Sequence, residues 1–351
     1  MFAVVVVHSN GYLGPINDIS TSFIGVLALV CDPIFFALSG YFAIRALKSS
    51  IGDYYFKKFL TIIVPLFVYS CLLFLYFFRS TGLSLPGYIQ YFQRLLTPWW
   101  FVPYLLPFLV VSPFLFRCFE GLTDGQAFLL VKIALGMSMW GTLASFLSWA
   151  FGYFGHETLV GVMSLFIAFV PVSIIPNNYF IYFCMGYFLR RLLPKLGKLQ
   201  KRALILMGLA FWIVDAAFAH FGIDRVDPSY AWLPATVGFF VLFDSLKSDR
   251  LLLGSLISWT ARRSYSIYLL QATTIDMAAS FVYGVLFAGN IAQCSATVRI
   301  LAWVCLVVIA YLSAWVIASI VDILVLSPIC KSIAWLRLKA WSSLEAIVLR
   351  R

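Results

Sequence analysis

The chain has 351 residues, 63% of them hydrophobic and 11% charged, and a mean hydropathy of +0.97. An ordinary soluble domain carries about 25% charged residues, so this balance excludes one and identifies an integral membrane protein. The formal net charge of +11 makes no case for nucleic acid, because no separate soluble domain is visible to present a basic face.

Apolar segments of roughly 20 residues recur along the whole length with short polar joints between them. This reads as an all-α polytopic transmembrane helical bundle in a single domain over 1–351, not as the alternating pattern of a membrane barrel. In chain order the expected helices cover 22–44, 59–78, 99–116, 128–148, 164–189, 203–221, 230–246, 264–285 and 297–326, preceded by an apolar fragment over 1–9. If that fragment is the outer end of a helix, the joints alternate sides. All but four of the 25 Lys and Arg residues then fall on one side, and only Arg79, Arg94, Arg225 and Arg299 fall on the other. The positive-inside rule makes the first side cytoplasmic, giving about ten crossings with both termini in the cytoplasm.

The fragment 1–9 is short. Seven residues before His8 reach about 10 Å, against a hydrocarbon core of about 30 Å. Either the chain begins with a half-inserted stub, or its start lies upstream and the first span is truncated; the count of crossings favours the second. No basic segment and small-residue cleavage site mark a secretory signal. Segment 164–189 contains Pro171 and Pro176, which predicts a kink or a helix that begins only after Pro176 behind a re-entrant piece. No internal repeat with paired interrupted helices is present, which counts against a secondary transporter. The seven cysteines show no metal-ligand spacing, and neither a disulfide framework nor a metal is expected.

A histidine ending a valine run is either an interfacial residue or a functional group. Ionisable side chains inside a membrane default to the second reading. An imidazole is a base near neutral pH, and the outward position of His8 places that base on the extracytoplasmic side. Asp32, at the outer end of the next helix by the span count, either orients the imidazole or is an acid favoured by a helix N-terminus.

The residues after His8 carry a resemblance. Asp32-Pro33-Ile34-Phe35-Phe36-Ala37-Leu38-Ser39-Gly40-Tyr41-Phe42, followed by Tyr55-Phe56-Lys57-Lys58 and Pro65, resembles the N-terminal signature of the membrane-bound acyltransferase 3 family. Trp99-Trp100-Phe101-Val102-Pro103-Tyr104-Leu105-Leu106 is similar to that family's outer Trp-Phe helix start. Asn177 to Tyr187 resembles its Phe-rich helix ending in Gly-Tyr, and Ser264-Tyr265-Ser266-Ile267-Tyr268-Leu269-Leu270 its late Ser-Tyr-x-Ile-Tyr-Leu motif.

The resemblance implies an O-acyltransferase of the bacterial plasma membrane that moves an acyl group, most often acetyl, from cytoplasmic acetyl-CoA or another acyl-CoA. The acceptor it implies is a hydroxyl of a cell-surface carbohydrate or its lipid-linked precursor. His8 then corresponds to the family's essential histidine. It either deprotonates the acceptor for attack on the thioester or forms an acyl-histidine. Three departures stand out. The cation that the family places with ten residues between it and the histidine would precede Met1, its Arg-x-x-Arg appears as Lys58 with Thr61, and Gln271 stands where many members carry His.

Arg45, Lys58, Arg262 and Arg263 are the donor-side candidates, since Arg and Lys suit phosphate groups; snorkelling at the headgroups explains any one of them alone. Ser39, Trp100, Tyr104 and Tyr265 are the substrate-side candidates, and Ser39 and Gly40 also suit close helix packing. Trp99 reads as part of the interfacial aromatic belt. His156 and His220 read as solvated. Asp215, Asp276 and Asp322 read as acids facing the bundle interior, as structural partners or channel lining. A transporter or exporter of a glycan or lipid is the main rival function, and a catalytically inactive relative is the third.

Overall fold

The structure is a computed structural model that describes residues 1–13, 18–80, 82–168, 179–246 and 254–348, with side chains except at 18–23, 168, 256 and 340–348. Among the described residues all regular structure is helical. The Pro171 and Pro176 expectation and the start of the Asn177 motif lie outside them.

The chain opens with α1 (Phe2–Ser9), then α2 (Asp18–Leu29) and α3 (Cys31–Ala43). The last two form one run turned at Val30. Pro33 has no N–H to give to the carbonyl of Leu29, so the first helix stops there. Helix α4 (Ile51–Lys58) passes through a π turn over Phe59–Ile63 into α5 (Val64–Phe78), and α6 (Leu85–Leu95) follows.

 

Helices α7 (Phe101–Glu120), α8 (Asp124–Tyr153) and α9 (Glu157–Ala168) come next, then α10 (Phe180–Leu192), α11 (Lys198–His220) and α12 (Trp232–Ser245). The chain closes with α13 (Gly254–Arg262), α14 (Ser264–Ala279), α15 (Ala296–Val321) and α16 (Ser327–Val348).

Among the described residues seven helical runs are long and apolar enough to cross a membrane: Ile24–Ala43, Ile51–Phe78, Phe101–Glu120, Asp124–Tyr153, Lys198–His220, Ser264–Leu286 and Ala296–Lys339. The expected span 230–246 is the shorter α12. At about 1.5 Å per residue its 14 residues reach roughly 21 Å. The preceding joint makes up the depth by entering the bundle: Ser229, Tyr230 and Ala231 are buried, and Ser138 of α8 donates to the Tyr230 carbonyl. The expected span 164–189 is divided between α9 and α10, with α9 packed back along α8.

Ion pairs join residues that the charge count assigns to one side. Arg191 and Lys195 meet Asp124, Lys201 meets Asp244 at 3.0 Å, and Arg337 meets Asp53 at 2.6 Å. This is the basic end of the bundle. At the opposite end Arg225 pairs with Asp215 at 3.1 Å.

The three intrahelical acids are each paired. Asp215, 1% exposed, accepts from Arg225, from Ser229 Oγ at 2.5 Å and from Trp232 Nε1 at 2.8 Å. Asp276 accepts from Tyr12 at 2.7 Å, and this bond pushes the exposed Tyr12 phenol up to about 12. Asp322 accepts from Tyr69 at 2.9 Å and Ser266 at 2.8 Å. Buried Asp215 and half-buried Asp322 are therefore structural partners, and a buried carboxylate requires such bonds; Asp276 is exposed, which corrects the expectation that it faces the bundle interior.

Proline leaves its own mark in α7. Pro113 cannot donate to the carbonyl of Leu109, and Tyr54 Oη donates to it instead at 3.1 Å. That bond holds α4 against α7. Helices α3 and α10 approach through glycine: a Cβ on Gly40 would lie 1.7 Å from the Phe183 carbonyl oxygen, and one on Gly186 would lie 2.0 Å from that of Ala37. Gly40 is thus a packing residue. Arg190 of α10 completes the contact by donating to the carbonyls of Tyr41 at 2.9 Å and Ile44 at 2.6 Å, satisfying the C-terminal end of α3.

Candidate functional site

A cavity of about 960 Å³ lies between α1, α3, α4, α7, α13, α14 and α15, within the range of small-molecule sites. Its lining on α3 runs from Asp32 to Phe42, ten residues or about 15 Å along the helix axis. Phe42, Lys58 and Thr61 lie toward the basic end; Asp32, Trp100, Met1 and Val4 lie deep in the bundle. The charged side chains in the lining are Lys58 and Asp32, one toward each end.

Several of the expected site residues meet here. Asp32, Ser39, Lys58, Trp100 and Tyr265 all line this one space, although they come from four helical regions of the chain. Local structure explains their placement. The π turn at Phe59–Ile63 puts Thr61 and Ile62 on the cavity wall. A π turn releases carbonyls from the regular helical ladder, and Tyr265 Oη donates to the one on Ile62 at 3.1 Å. Tyr268, missed as a site residue, bridges the Pro98 carbonyl at 3.1 Å and the Phe101 N–H at 3.3 Å. That fixes the start of α7 beside the cavity, and the Ser-Tyr-x-Ile-Tyr spacing was the available signal.

Other expected members stand apart. Arg45 and Arg262 are exposed and outside the lining. Arg263 lies over the Trp259 ring at 3.8 Å and donates to the Trp259 carbonyl at 3.2 Å. Tyr104 packs edge-on against Trp100, one layer behind the wall. Trp99 corrects the belt reading. It is 1% exposed, and its Nε1 donates to the Leu269 carbonyl at 3.0 Å, so it ties the start of α7 to α14.

Asp32 also departs from its expected place. It sits at the turn between α2 and α3, level with the chain start, where Met1 and Cys31 interact electrostatically. Asn10 instead abuts Gly25, which places His8 most of two helical turns further toward the opposite end than Asp32. The Asp32 carboxylate accepts from Cys31 Sγ at 3.4 Å, and among the described residues no hydrogen bond joins it to His8. Asp32 falls near the middle of both the expected span 22–44 and the run Ile24–Ala43, not at an outer end.

His8 itself is half-buried. Met1 and Val4 line the cavity, and Met1, Val4 and His8 share one face of α1 at the i, i+3, i+7 spacing. The lining stops at Val4, so His8 continues that face by one turn. His156 and His220 are not part of the lining. Among the described residues, no group of three or more His, Cys, Asp and Glu side chains could hold a metal ion.

A family model described as an acyltransferase domain, that of acyltransferase 3, matches residues 1–319. No curated protein and no solved structure gives a match.

Proposed function

The chain belongs to the acyltransferase 3 family, and from that premise we propose that it transfers an acyl group, acetyl foremost, from a coenzyme A thioester to a hydroxyl of a glycan or its lipid-linked precursor. The donor arrives at the basic end, taken as cytoplasmic, and the acceptor at the opposite, extracytoplasmic face. On this reading the protein is one domain in a bacterial plasma membrane, with its basic end, where Arg337 of the last helix meets Asp53, facing the cytoplasm.

The observation that carries the reading is the cavity itself. It runs from Lys58 at the basic end to Met1 and Val4 on the His8 face of α1. A lysine ammonium suits the phosphates of the donor, and an apolar channel suits its acyl and thioester portion. Ser39 and Tyr265 offer hydrogen bonds along the way, and Trp100 a ring face near the acceptor. His8 takes the proton of the acceptor hydroxyl. The oxygen then attacks the thioester carbonyl, the carbon–sulfur bond breaks, and coenzyme A leaves as a thiolate that collects a proton while the new ester departs on the glycan.

Replacing His8 with Ala tests this. Cells carrying His8→Ala should lack the acetyl-sized mass increment on their surface glycans while the protein still inserts in the membrane. An undiminished increment would remove His8 from the chemistry, and movement of intact glycan without consumption of acyl-CoA would replace the transferase by an exporter.

A further inference from the structure

Gln271 is 1% exposed, and among the described residues neither its Nε2 nor its Oε1 has a hydrogen-bond partner. A buried primary amide with all of its capacity unused is costly and calls for a ligand or an unplaced partner. Its own helix indicates where that partner lies. Ser264 and Tyr268 of α14 line the cavity, and Gln271 follows them at the i, i+4, i+7 spacing on the same face. It extends the α14 lining by one turn beyond Tyr268, as His8 extends the α1 lining by one turn beyond Val4.

The two extensions end at about the same depth. Helices α1 and α14 pack together and run in the same direction. Val4 shares one buried cluster with Ile267 to Leu270, and Tyr12 bonds Asp276 further along both helices, at a separation of 264 residues. The same offset carried back along α1 puts His8 beside Ala272, so Gln271 lies within about one helical turn of its depth.

We infer that Gln271 is a positioning residue for the transfer reaction, its amide holding the His8 imidazole, directly or through the acceptor hydroxyl, at the end of the cavity remote from Lys58. An amide can do this in either sense, since its oxygen accepts from a ring N–H and its nitrogen donates to a ring nitrogen or an oxyanion. The inference rests on the acyltransferase reading of His8. Ionisable groups on the elements packed against α1 are Tyr12 on the turn Asn10–Leu13, Asp18 on α2, Cys31, Asp32 and Tyr41 on α3, Tyr265, Tyr268 and Asp276 on α14, and Arg299, Cys305 and Tyr311 on α15. Of these, Asp276 is engaged by Tyr12.

The test compares Gln271→Leu, Gln271→Glu and His8→Ala in the full-length protein in detergent, with acetyl-CoA as donor. Leu fills the same space without an unpaired polar group, so Gln271→Leu should melt at or above the wild-type temperature. Its turnover should fall about 10²-fold, as misplacing a reacting group by about an ångström does, with the donor KM little changed. Wild-type turnover in Gln271→Leu would overturn the inference. Should that variant not fold, Gln271→Glu decides. A carboxylate beside the ring favours imidazolium, so the His8 resonance, assigned by its loss in His8→Ala, should titrate at higher pH. An unmoved His8 titration would overturn the assignment. Retained turnover in His8→Ala would instead fell the function reading by itself.

Discussion

Gly186→Ala puts a methyl group where α10 touches α3. The new Cβ would lie 2.0 Å from the Ala37 carbonyl oxygen and 2.5 Å from the Tyr41 nitrogen, against the 3.0 Å that real Cβ contacts essentially never undercut. Both neighbours are helix backbone, so no side chain can rotate away and α3 must recede by about an ångström. Overpacking of this kind costs about 1–3 kcal/mol. At an unfolding entropy of about 2.1 cal/mol/K per residue, that lowers the melting temperature by roughly 1–4 °C for a chain of this length. The functional loss should be larger. Asp32, Ser39 and Phe42 of α3 line the cavity, and an ångström of misplacement costs about 10²-fold in rate. Thermal unfolding in detergent and acetyl transfer from acetyl-CoA, read together, check both effects. Gly136→Ala is the control, because its Cβ would meet nothing within 4 Å. If Gly186→Ala melts and turns over like Gly136→Ala, the α3–α10 contact does not set the cavity wall.

Asp215→Ala should be the more destabilising change, since it strands Arg225, Ser229 and Trp232 without their acceptor. Breaking such a buried set costs about 3–5 kcal/mol, a drop in melting temperature of roughly 4–7 °C by the same entropy scale; an unchanged melting curve would contradict it. Lys58→Ala should raise the acetyl-CoA KM about 10-fold, the value of one charge-assisted bond, and leave an acetyl-pantetheine donor unaffected. Equal losses with both donors would remove the phosphate contact.

Much of the bundle was legible because lipid imposes simple rules. Long apolar runs marked the spans, and the placement of Lys and Arg marked their ends; the pairs Arg191–Asp124, Lys201–Asp244 and Arg337–Asp53 join residues assigned to one side. What stayed hidden depends on distant contacts. Trp99 reads as a belt residue because aromatic composition is the same at an interface and in a core, and only its bond to Leu269, 170 residues away, separates the two. Asp276 and Asp322 have partners 264 and 253 residues away, beyond any periodicity argument. The short α12 was drawn too long because apolar residues continue into a joint that is itself buried. Asp32, Ser39, Lys58, Trp100 and Tyr265, candidates by residue type and motif, share one cavity. Arg45 and Arg262 were chosen for charge alone, and charge cannot tell an exposed headgroup anchor from a lining residue.

Sealed membrane vesicles of the two orientations test the central claim most directly. With radiolabelled acetyl-CoA supplied outside and the cells' own envelope glycan as acceptor, inside-out vesicles expose the basic end and should label glycan in their lumen, and right-side-out vesicles should label none. Equal labelling from both orientations, or labelling only of right-side-out vesicles, would contradict transfer through the bundle from Lys58 toward His8.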